Sequence, residues 1–291
     1  MGNSLFILDV FAEAKLEGNQ LAVVVDKEGW SGEQMQKFTR EMNFSESTFI
    51  TGSDTDKRVF KVRIFTPVGE IPFAGHPTLG TAYVAAKELL KMDVSELTLD
   101  MKAGLIPVNF LKASNGKPLL WMKQLNPKFG ATHRAEDIAP LFGLKVSDID
   151  TRFPIQEVST GIWFYIIPLK TRKALKSVKI DPEKFKAYSA GKSITGGLLL
   201  CDEPEDKGNQ LKVRMLTDWT EDPATGSANG CLAGYLVKHR YFGSPMIDVR
   251  VEQGAEIGRP SMLYLRAEED IDGIDVRVGG KVVMVARGEL V

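Results

Sequence analysis

The stretch IFTPVGEIPFAGHPTLGTAYVAAKELL, residues 64–90, decides how the rest of the chain folds. It begins as a strand, passes through a turn marked by proline and glycine, and enters a helix that is too apolar to lie on a surface. Gly75 permits a tight backbone at this junction, and Pro77 suits the first helical turn because its missing N–H is not needed there. His76 therefore lies at the start of a buried helix, where free N–H groups and the helix dipole favour an anion.

A second stretch repeats this design half a chain later. The segment DWTEDPATGSANGCLAGYLVKHR, residues 218–240, also combines a Pro/Gly turn, a small polar side chain at a helix start and an apolar helix, and Gly226 follows Gly75 by 151 residues. A helix that is apolar on all sides has to be enclosed, and a sheet wrapped around it achieves this. We predict an α+β protein of two pseudo-symmetric domains, each a mixed β-sheet or barrel around a central α-helix.

The domain boundary is predicted from a loop signal and a restart of the same order of elements. Residues 114–118, SNGKP, are typical of a loop, and strands resume after them. The predicted bounds are residues 1–117 with a C-terminal strand at about 282–291 and a central helix 76–91, and residues 118–281 with a central helix 227–240. Near the N-terminus, Ser31 is predicted to cap a helix with Gln34 as its capping-box partner.

Composition excludes several classes of function. The 291 residues are 43% hydrophobic and 26% charged with a net charge of −1, which is typical of a globular protein and gives no electrostatic case for binding nucleic acid or an anionic membrane. The N-terminus lacks the basic region of a signal peptide, and no apolar run approaches the roughly 20 residues that span a bilayer. Cys201 and Cys231 form no C-x-x-C motif, so we expect a reduced, cytoplasmic protein.

Five motifs stand in one order along the chain and together resemble a known family. They are GNQLAVV (18–24), NFSESTF (43–49), RIFTP and EIPFAGHPTLG (63–80), EDPATGSANG (221–230) and EQGAEIGRPS (252–261). As a set they are similar to the signature blocks of the PhzF family, phenazine-biosynthesis-like isomerases with the diaminopimelate epimerase fold. The resemblance implies an active site in a cleft between the two domains, a homodimer, and proton transfer without a cofactor.

The resemblance implies a catalytic role for Glu46. This residue matches the family's general acid/base, which moves a proton on the substrate. The chemistry agrees, because desolvation in a closing cleft raises the pKa of a carboxyl group and lets it both take and return a proton. On local sequence alone, the Ser-Glu-Ser turn is also compatible with a glutamate that lies in solvent or caps a strand.

Three further residues match catalytic positions of the family. His76 is expected to hold the substrate or assist proton delivery, although a core or capping histidine would have the same position. Asp222 is expected to bind a substrate amine or hydroxyl, with a loop or helix-cap aspartate as the alternative. Ser227 and nearby N–H groups are expected to bind a carboxylate.

Five residues are expected to bind the substrate or shape its site. Asn19 and Ser45 line or brace the cleft, with simple turn chemistry as the alternative reading. The main chain at Gly75 and Gly226 approaches a small anionic ligand closely, and Pro77 shapes the helix start. These five are Asn19, Ser45, Gly75, Pro77 and Gly226. Arg259 is near the predicted cleft rim and receives no catalytic role.

Absent residues narrow the chemistry. Related amino-acid epimerases use one cysteine at each helix start, and here His76 and Ser227 take those places, so a two-thiol racemase is not available. Cys231 is predicted to be a packed core residue. No phosphate-binding loop or metal cluster is predicted, and His133 and His239 are expected at the surface or at helix ends.

The sequence thus predicts a cofactor-independent isomerase that acts on a small carboxylate-bearing substrate, cyclic or amino-acid-like. Two alternatives remain open. One is a non-enzymatic ligand- or partner-binding protein that retains the fold. The other is a hydrolase with Ser227 as nucleophile, which is weaker because no G-x-S-x-G context surrounds this serine.

Overall fold

The computed structural model describes residues 2–112 and 118–291, so most of the predicted loop at 114–118 lies outside the described residues. The chain divides into two compact units, which we call unit 1 (Met1–Met122 and Gly279–Val291) and unit 2 (Lys123–Val278). The divisions fall at 122/123 and 278/279, where the sequence predicted 117/118 and 281/282.

Strands dominate the described part of the chain. They are β1 (Ser4–Val10), β2 (Asn19–Val25), β3 (Ser47–Asp54), β4 (Val59–Phe65), β5 (Glu70–Ile71), β6 (Glu96–Met101), β7 (Gly104–Lys112), β8 (Pro118–Lys123), β9 (Lys128–His133), β10 (Ile155–Ser159), β11 (Trp163–Pro168), β12 (Ile194–Cys201), β13 (Leu211–Leu216), β14 (Glu221–Asp222), β15 (Met246–Gln253), β16 (Ser261–Asp270), β17 (Gly273–Gly280) and β18 (Val282–Glu289). The α-helices are α1 (Gly32–Met42), α2 (Gly75–Val84), α3 (Ala135–Ile138), α4 (Arg172–Ser177), α5 (Pro182–Ser189) and α6 (Gly226–Lys238).

The sheet of unit 1 is mixed. Strand β1 pairs antiparallel with both β18 and β2, β2 pairs parallel with β3, and β3 pairs antiparallel with β4. Strand β4 then has two partners on its far side, because it pairs antiparallel with the short β5 and parallel with β6. Antiparallel β7 and β8 follow. Helices α1 and α2 form the two parallel crossovers, from β2 to β3 and from β4 to β6.

Unit 2 repeats this sequence of pairings. Strand β10 pairs antiparallel with β9 and β11, β11 pairs parallel with β12, and β12 pairs antiparallel with β13. Strand β13 again has two partners, the short antiparallel β14 and the parallel β15, and β16 follows antiparallel. The predicted α+β class and the internal repeat are therefore confirmed.

Each unit encloses one apolar helix within its own sheet. Nine of the ten residues of α2 and eleven of the thirteen residues of α6 are buried. Helix α2 packs on β1, β2, β3, β6, β7 and β18, and α6 packs on β10, β11, β12, β15 and β16. Strands therefore contact each helix on several sides, as its uniform apolar character requires.

The outer faces of the sheets carry amphipathic helices. In unit 1, the predicted cap of α1 is confirmed, since the Ser31 side chain accepts from the Gln34 N–H and the Gln34 side chain bonds back to the Ser31 N–H. Its apolar side packs on Phe49 and Phe65 of the sheet. In unit 2, α3, α4 and α5 cover a separate apolar cluster that includes Phe142.

Candidate active site

Glu46 and His76 meet in unit 1. His76 is the second residue of α2 and is 6% exposed, and Glu46 directly precedes β3. Because Ala22 of β2 is paired with Ser47 of β3, the segment that carries Glu46 runs beside the start of β2. His76 Nε2 lies 3.4 Å from Glu46 Oε2. The structure thus brings together the two residues to which the sequence analysis gave the central roles.

Burial keeps the His76 ring neutral. Desolvation lowers the pKa of His76 from 6.5 to about 3, and a hydrogen bond with the Gln20 main chain acts in the opposite direction. This hydrogen bond raises the pKa because the Gln20 carbonyl oxygen accepts a ring N–H of His76. His76 Nε2 has no hydrogen-bond partner within residues 2–112 and 118–291, so this N–H is assigned to Nδ1. The Nε2 lone pair then faces the Glu46 carboxyl group.

The first turn of α2 presents main chain rather than side-chain caps. Ala74 is the N-cap residue and has an extended conformation, but its methyl group cannot accept a hydrogen bond from the helix. Gly75 and Pro77 are both buried in this turn. An uncapped helix start beside Glu46 is the kind of environment that stabilises negative charge.

Asp222 and Thr225 form the corresponding feature of unit 2. Asp222 ends the short strand β14, and Thr225 is the N-cap residue of α6. The Thr225 hydroxyl does not cap its own helix but donates to Asp222 Oδ2 over 2.5 Å, which is typical of a charge-assisted bond to a carboxylate. Gly226 is buried and Ser227 partly buried in the first turn of α6.

Gln253 is a site residue that the sequence analysis missed. Its side chain is 1% exposed, and its Oε1 accepts from the Thr225 N–H over 3.3 Å and from Asn229 Nδ2 over 2.9 Å. Its Nε2 donates to the Asp222 main-chain oxygen over 2.9 Å and to Thr225 Oγ1 over 3.2 Å. Gln253 therefore holds Asp222, Thr225 and Asn229 at the start of α6.

The glycine after Gln253 permits this arrangement. Gly254 has φ +79, and a Cβ there would lie 2.5 Å from the Pro223 main-chain oxygen. Only a residue without a side chain lets this segment approach the chain between Asp222 and Thr225 so closely. The glycine in the motif EQG, residues 252–254, indicates a tight backbone, but the motif does not reveal which residues Gln253 contacts.

The remaining predicted residues have varied surroundings. Asn19 is buried at the first residue of β2, and Ser45 is exposed. Cys231 is confirmed as a core residue of α6, where burial raises the pKa of its thiol to about 12. The prediction for His133 was wrong, because its side chain is 7% exposed and contacts Tyr188 and Glu157. This difference arises because β9 and β10 pair beside α5, which no local pattern around His133 indicates.

Two features of the described residues concern metals and membranes. Within residues 2–112 and 118–291, no three His, Cys, Asp or Glu side chains are grouped so as to hold a metal ion. No helix in the described part of the chain has the length and apolar character needed to cross a membrane.

Comparison with known proteins connects this geometry to a family. A family model described as phenazine biosynthesis-like protein matches residues 8–288. Trans-2,3-dihydro-3-hydroxyanthranilate isomerase of Pseudomonas aeruginosa is 35% identical to the chain, over 98% of each protein. The crystal structure of a Bacillus anthracis phenazine biosynthesis protein of the PhzF family matches with a TM-score of 0.89 and 28% identity, and the match covers 100% of both chains.

A more distant structural likeness concerns the fold alone. A probable proline racemase from Agrobacterium radiobacter K84 matches with a TM-score of 0.62 at 10% identity, covering 99% of this chain and 93% of the other. The architecture of a sheet around each of two central helices is thus shared with that racemase fold.

Proposed function

Because the chain belongs to the phenazine biosynthesis-like family of isomerases, we propose that it moves a proton on a small carboxylate-bearing substrate, cyclic or amino-acid-like, by general acid/base catalysis without a cofactor. Family membership rests on the match over residues 8–288 and on the 35% identity to a curated isomerase. The substrate class and the role of each residue are our inference from the site.

The contact between Glu46 and His76 supports this function most directly. The Glu46 side chain is 17% exposed, so it is largely withdrawn from water yet can be reached by a small molecule. A carboxylate in such a position is a suitable base for a carbon acid, because it is not fully hydrated. His76 contributes a neutral acceptor at 3.4 Å instead of a fixed positive charge.

The proposed reaction moves one proton from one carbon of the substrate to another, with Glu46 as its temporary carrier. The Glu46 carboxylate removes a proton from carbon, and the electron pair of that C–H bond moves into the adjoining unsaturated system. Protonated Glu46 then donates a hydrogen bond to His76 Nε2, which stabilises it until the proton is returned to a different carbon. The product is an isomer, and no electrons leave the substrate.

The start of α6 carries the residues of unit 2 to which we assign substrate binding. We assign Asp222 to a substrate amine or hydroxyl, since a carboxylate accepts such donors strongly. Ser227 and the main chain at Gly226 are assigned to the substrate carboxylate, because first-turn N–H groups of a helix bind anions.

The experiment that tests this function measures isomerisation in D₂O with trans-2,3-dihydro-3-hydroxyanthranilate as the probe. We expect the wild-type protein to convert the probe and to incorporate deuterium at the newly protonated carbon. Glu46→Gln should reduce turnover, and with it deuterium incorporation, about 10²- to 10⁴-fold, which is the usual contribution of a general acid/base. NMR of the product gives both quantities.

Control variants separate this role from its alternatives. Glu41→Gln changes an exposed glutamate of α1 and should leave turnover unchanged. Equal deuterium incorporation by the wild type and by Glu46→Gln would refute the role of Glu46. Binding of the probe without conversion would instead favour a ligand-binding protein, and hydrolysis that is lost in Ser227→Ala would favour a hydrolase.

A further inference from the structure

The internal repeat allows each residue at the start of α6 to be compared with its counterpart in unit 1. In unit 2, Met215 is paired with Asp222, and in unit 1, Ile64 is paired with Ile71. Each residue of the first pair follows its counterpart in the second by 151 positions. Helices α6 and α2 begin at the same offset. Further along the sheets, Lys212 is paired with Glu252 in unit 2, and Lys61 is paired with Asp100 in unit 1. The residues that follow these partners, Gln253 and Met101, are therefore equivalent.

The polar residues at the start of α6 correspond in unit 1 to apolar residues and to one threonine that bonds to the main chain of its own helix start. Asp222, Thr225, Asn229 and Gln253 correspond to Ile71, Ala74, Thr78 and Met101. In unit 1 the Thr78 hydroxyl donates to the main-chain oxygen of Ala74 in its own helix, and its contact with Met101 is only a 3.9 Å approach to sulfur. The same arrangement of strands and helix therefore forms without any network of this kind.

The network in unit 2 is costly for an element that only supports the fold. Gln253 is 1% and Asn229 0% exposed, and a buried amide is destabilising unless its hydrogen bonds are satisfied. Asn229 Oδ1 has no hydrogen-bond partner among the described residues. The fold does not require this hydrogen-bond network, because unit 1 forms without it. Since the network surrounds Asp222, we infer that it serves the function of the site.

We propose that Gln253 is a positioning residue that fixes the orientation of Asp222 and Thr225 for the substrate. Its Nε2 donates to both the Asp222 main-chain oxygen and Thr225 Oγ1. With this donor on the Thr225 oxygen, the hydroxyl hydrogen is directed to Asp222 Oδ2. Hydrogen bonds to its main-chain oxygen and to Oδ2 thereby fix the orientation of the Asp222 carboxylate.

The variant Gln253→Met tests this inference, because methionine has a similar length and is the residue found at the unit 1 counterpart. The matched control is Gln156→Met in β10. Gln156 is also a buried glutamine of unit 2, and its side chain bonds to the Gly130 main-chain oxygen and to His239, away from the network. Both variants lose side-chain hydrogen bonds, but only the first releases Asp222 and Thr225.

Amide hydrogen exchange provides a readout that requires no substrate. The Thr225 N–H bonds to the Gln253 side chain, so we expect its exchange to accelerate in Gln253→Met and to remain at the wild-type rate in Gln156→Met. The same rate at Thr225 in the wild type and in Gln253→Met would overturn the proposal. This measurement stands even if the protein does not convert the probe, an outcome that would count against the proposed function alone.

The effect on turnover rests on the proposed function and is measured with the same probe. Misplacement of a substrate-binding group by about 1 Å commonly costs on the order of 10²-fold in rate. We therefore expect kcat/KM of Gln253→Met to fall about 10- to 100-fold. That of Gln156→Met should stay within about twofold, since its contacts are distant from the network. Equal losses in the two variants at similar melting temperatures would show a general structural role and overturn the proposal.

Discussion

At the level of single residues, His76 has the clearest electrostatic consequence. Its ring is buried at the start of α2, and desolvation lowers its pKa to about 3. A positive charge at this position would oppose the helix dipole and would pair permanently with Glu46. The neutral ring forms no such ion pair, as the proposed role of Glu46 requires.

The pH dependence of stability should reveal this neutral histidine. The pKa of His76 falls from 6.5 in the unfolded chain to about 3 in the fold, so between these values the unfolded state binds the extra proton. The free energy of unfolding should therefore decrease as the pH falls from about 6.5 towards 3, by about 1 kcal/mol per pH unit from this group. Urea titrations between pH 7 and 4 should show a shallower decrease for His76→Asn.

His239→Asn is the control for this measurement. His239 lies half-buried at the end of α6, and burial also lowers its pKa, so its substitution should flatten the profile less than that of His76. An identical pH profile for the wild type and His76→Asn would contradict the neutral assignment.

The residues of the site differ in how far sequence could predict them. Glu46 and His76 stand in motifs whose chemistry is readable from the residue types, and the structure places them in contact. Gln253 could not be predicted from its own surroundings, because its role depends on how β15 lies beside the loop between β14 and α6. Its alignment with Met101 comes from the strand pairings of Glu252 and Asp100, whereas the sequence offset of 151 residues would align Gln253 with Lys102.

At the level of elements, the close approach of α2 to its sheet explains a glycine in the middle of a helix. A Cβ on Gly80 would lie 2.5 Å from Leu21 Cδ2 and 3.0 Å from Val10 Cγ2. Both neighbours are fully buried and cannot move into solvent. The helix therefore contacts β1 and β2 along its backbone, which also brings its first turn close to Gln20.

Gly80→Val should accordingly destabilise unit 1. Two additional methyl groups and a Cβ in a fully packed interface typically cost about 1–3 kcal/mol. The midpoint of urea unfolding should fall. Gly52→Val provides the control, because a Cβ at Gly52 in β3 meets only the Lys61 side chain at ordinary distances of 3.6 Å and more, and valine suits a strand. A loss in Gly52→Val as large as in Gly80→Val would contradict the packing argument.

The existence of the two central helices was predictable, but their exact course was not. The predicted helix 76–91 is α-helical from Gly75 to Val84 and continues as a π-helix over Ala85–Leu90. The predicted helix 227–240 spans Gly226–Lys238. Apolar character all around a segment predicts an enclosed helix, whereas a change from i→i+4 to i→i+5 hydrogen bonding depends on packing that is not local.

At the level of the whole molecule, the two units use one sequence pattern in two environments. Arg63 and Glu70 of unit 1 form a bidentate pair, and so do Arg214 and Glu221 of unit 2. The side chains of the first pair are 36% and 27% exposed, and those of the second pair are 9% and 11% exposed. Arg214 Nη1 additionally donates to main-chain oxygens around the end of α4.

The repeat therefore offers a matched pair of substitutions. Arg214→Met leaves Glu221 buried without its cation and should cost about 3–5 kcal/mol of unfolding free energy. Arg63→Met, at the equivalent but more exposed position, should cost about 1 kcal/mol or less. Urea unfolding of both variants measures the difference, and equal losses would show that burial does not decide the strength of these pairs.

Strand β18 ties the end of the chain to its beginning, because it pairs with β1 over the length of both strands. Unit 2 is a continuous segment, so during synthesis all its strands leave the ribosome before β18 does. While about 270 further residues are translated, one edge of β1 has no partner strand. The part of the apolar surface of α2 that β18 contacts is also uncovered until β18 is made. Unit 1 is therefore completed only after the strands of unit 2 have been made, and until then the open edge of β1 can pair with other chains, which favours aggregation.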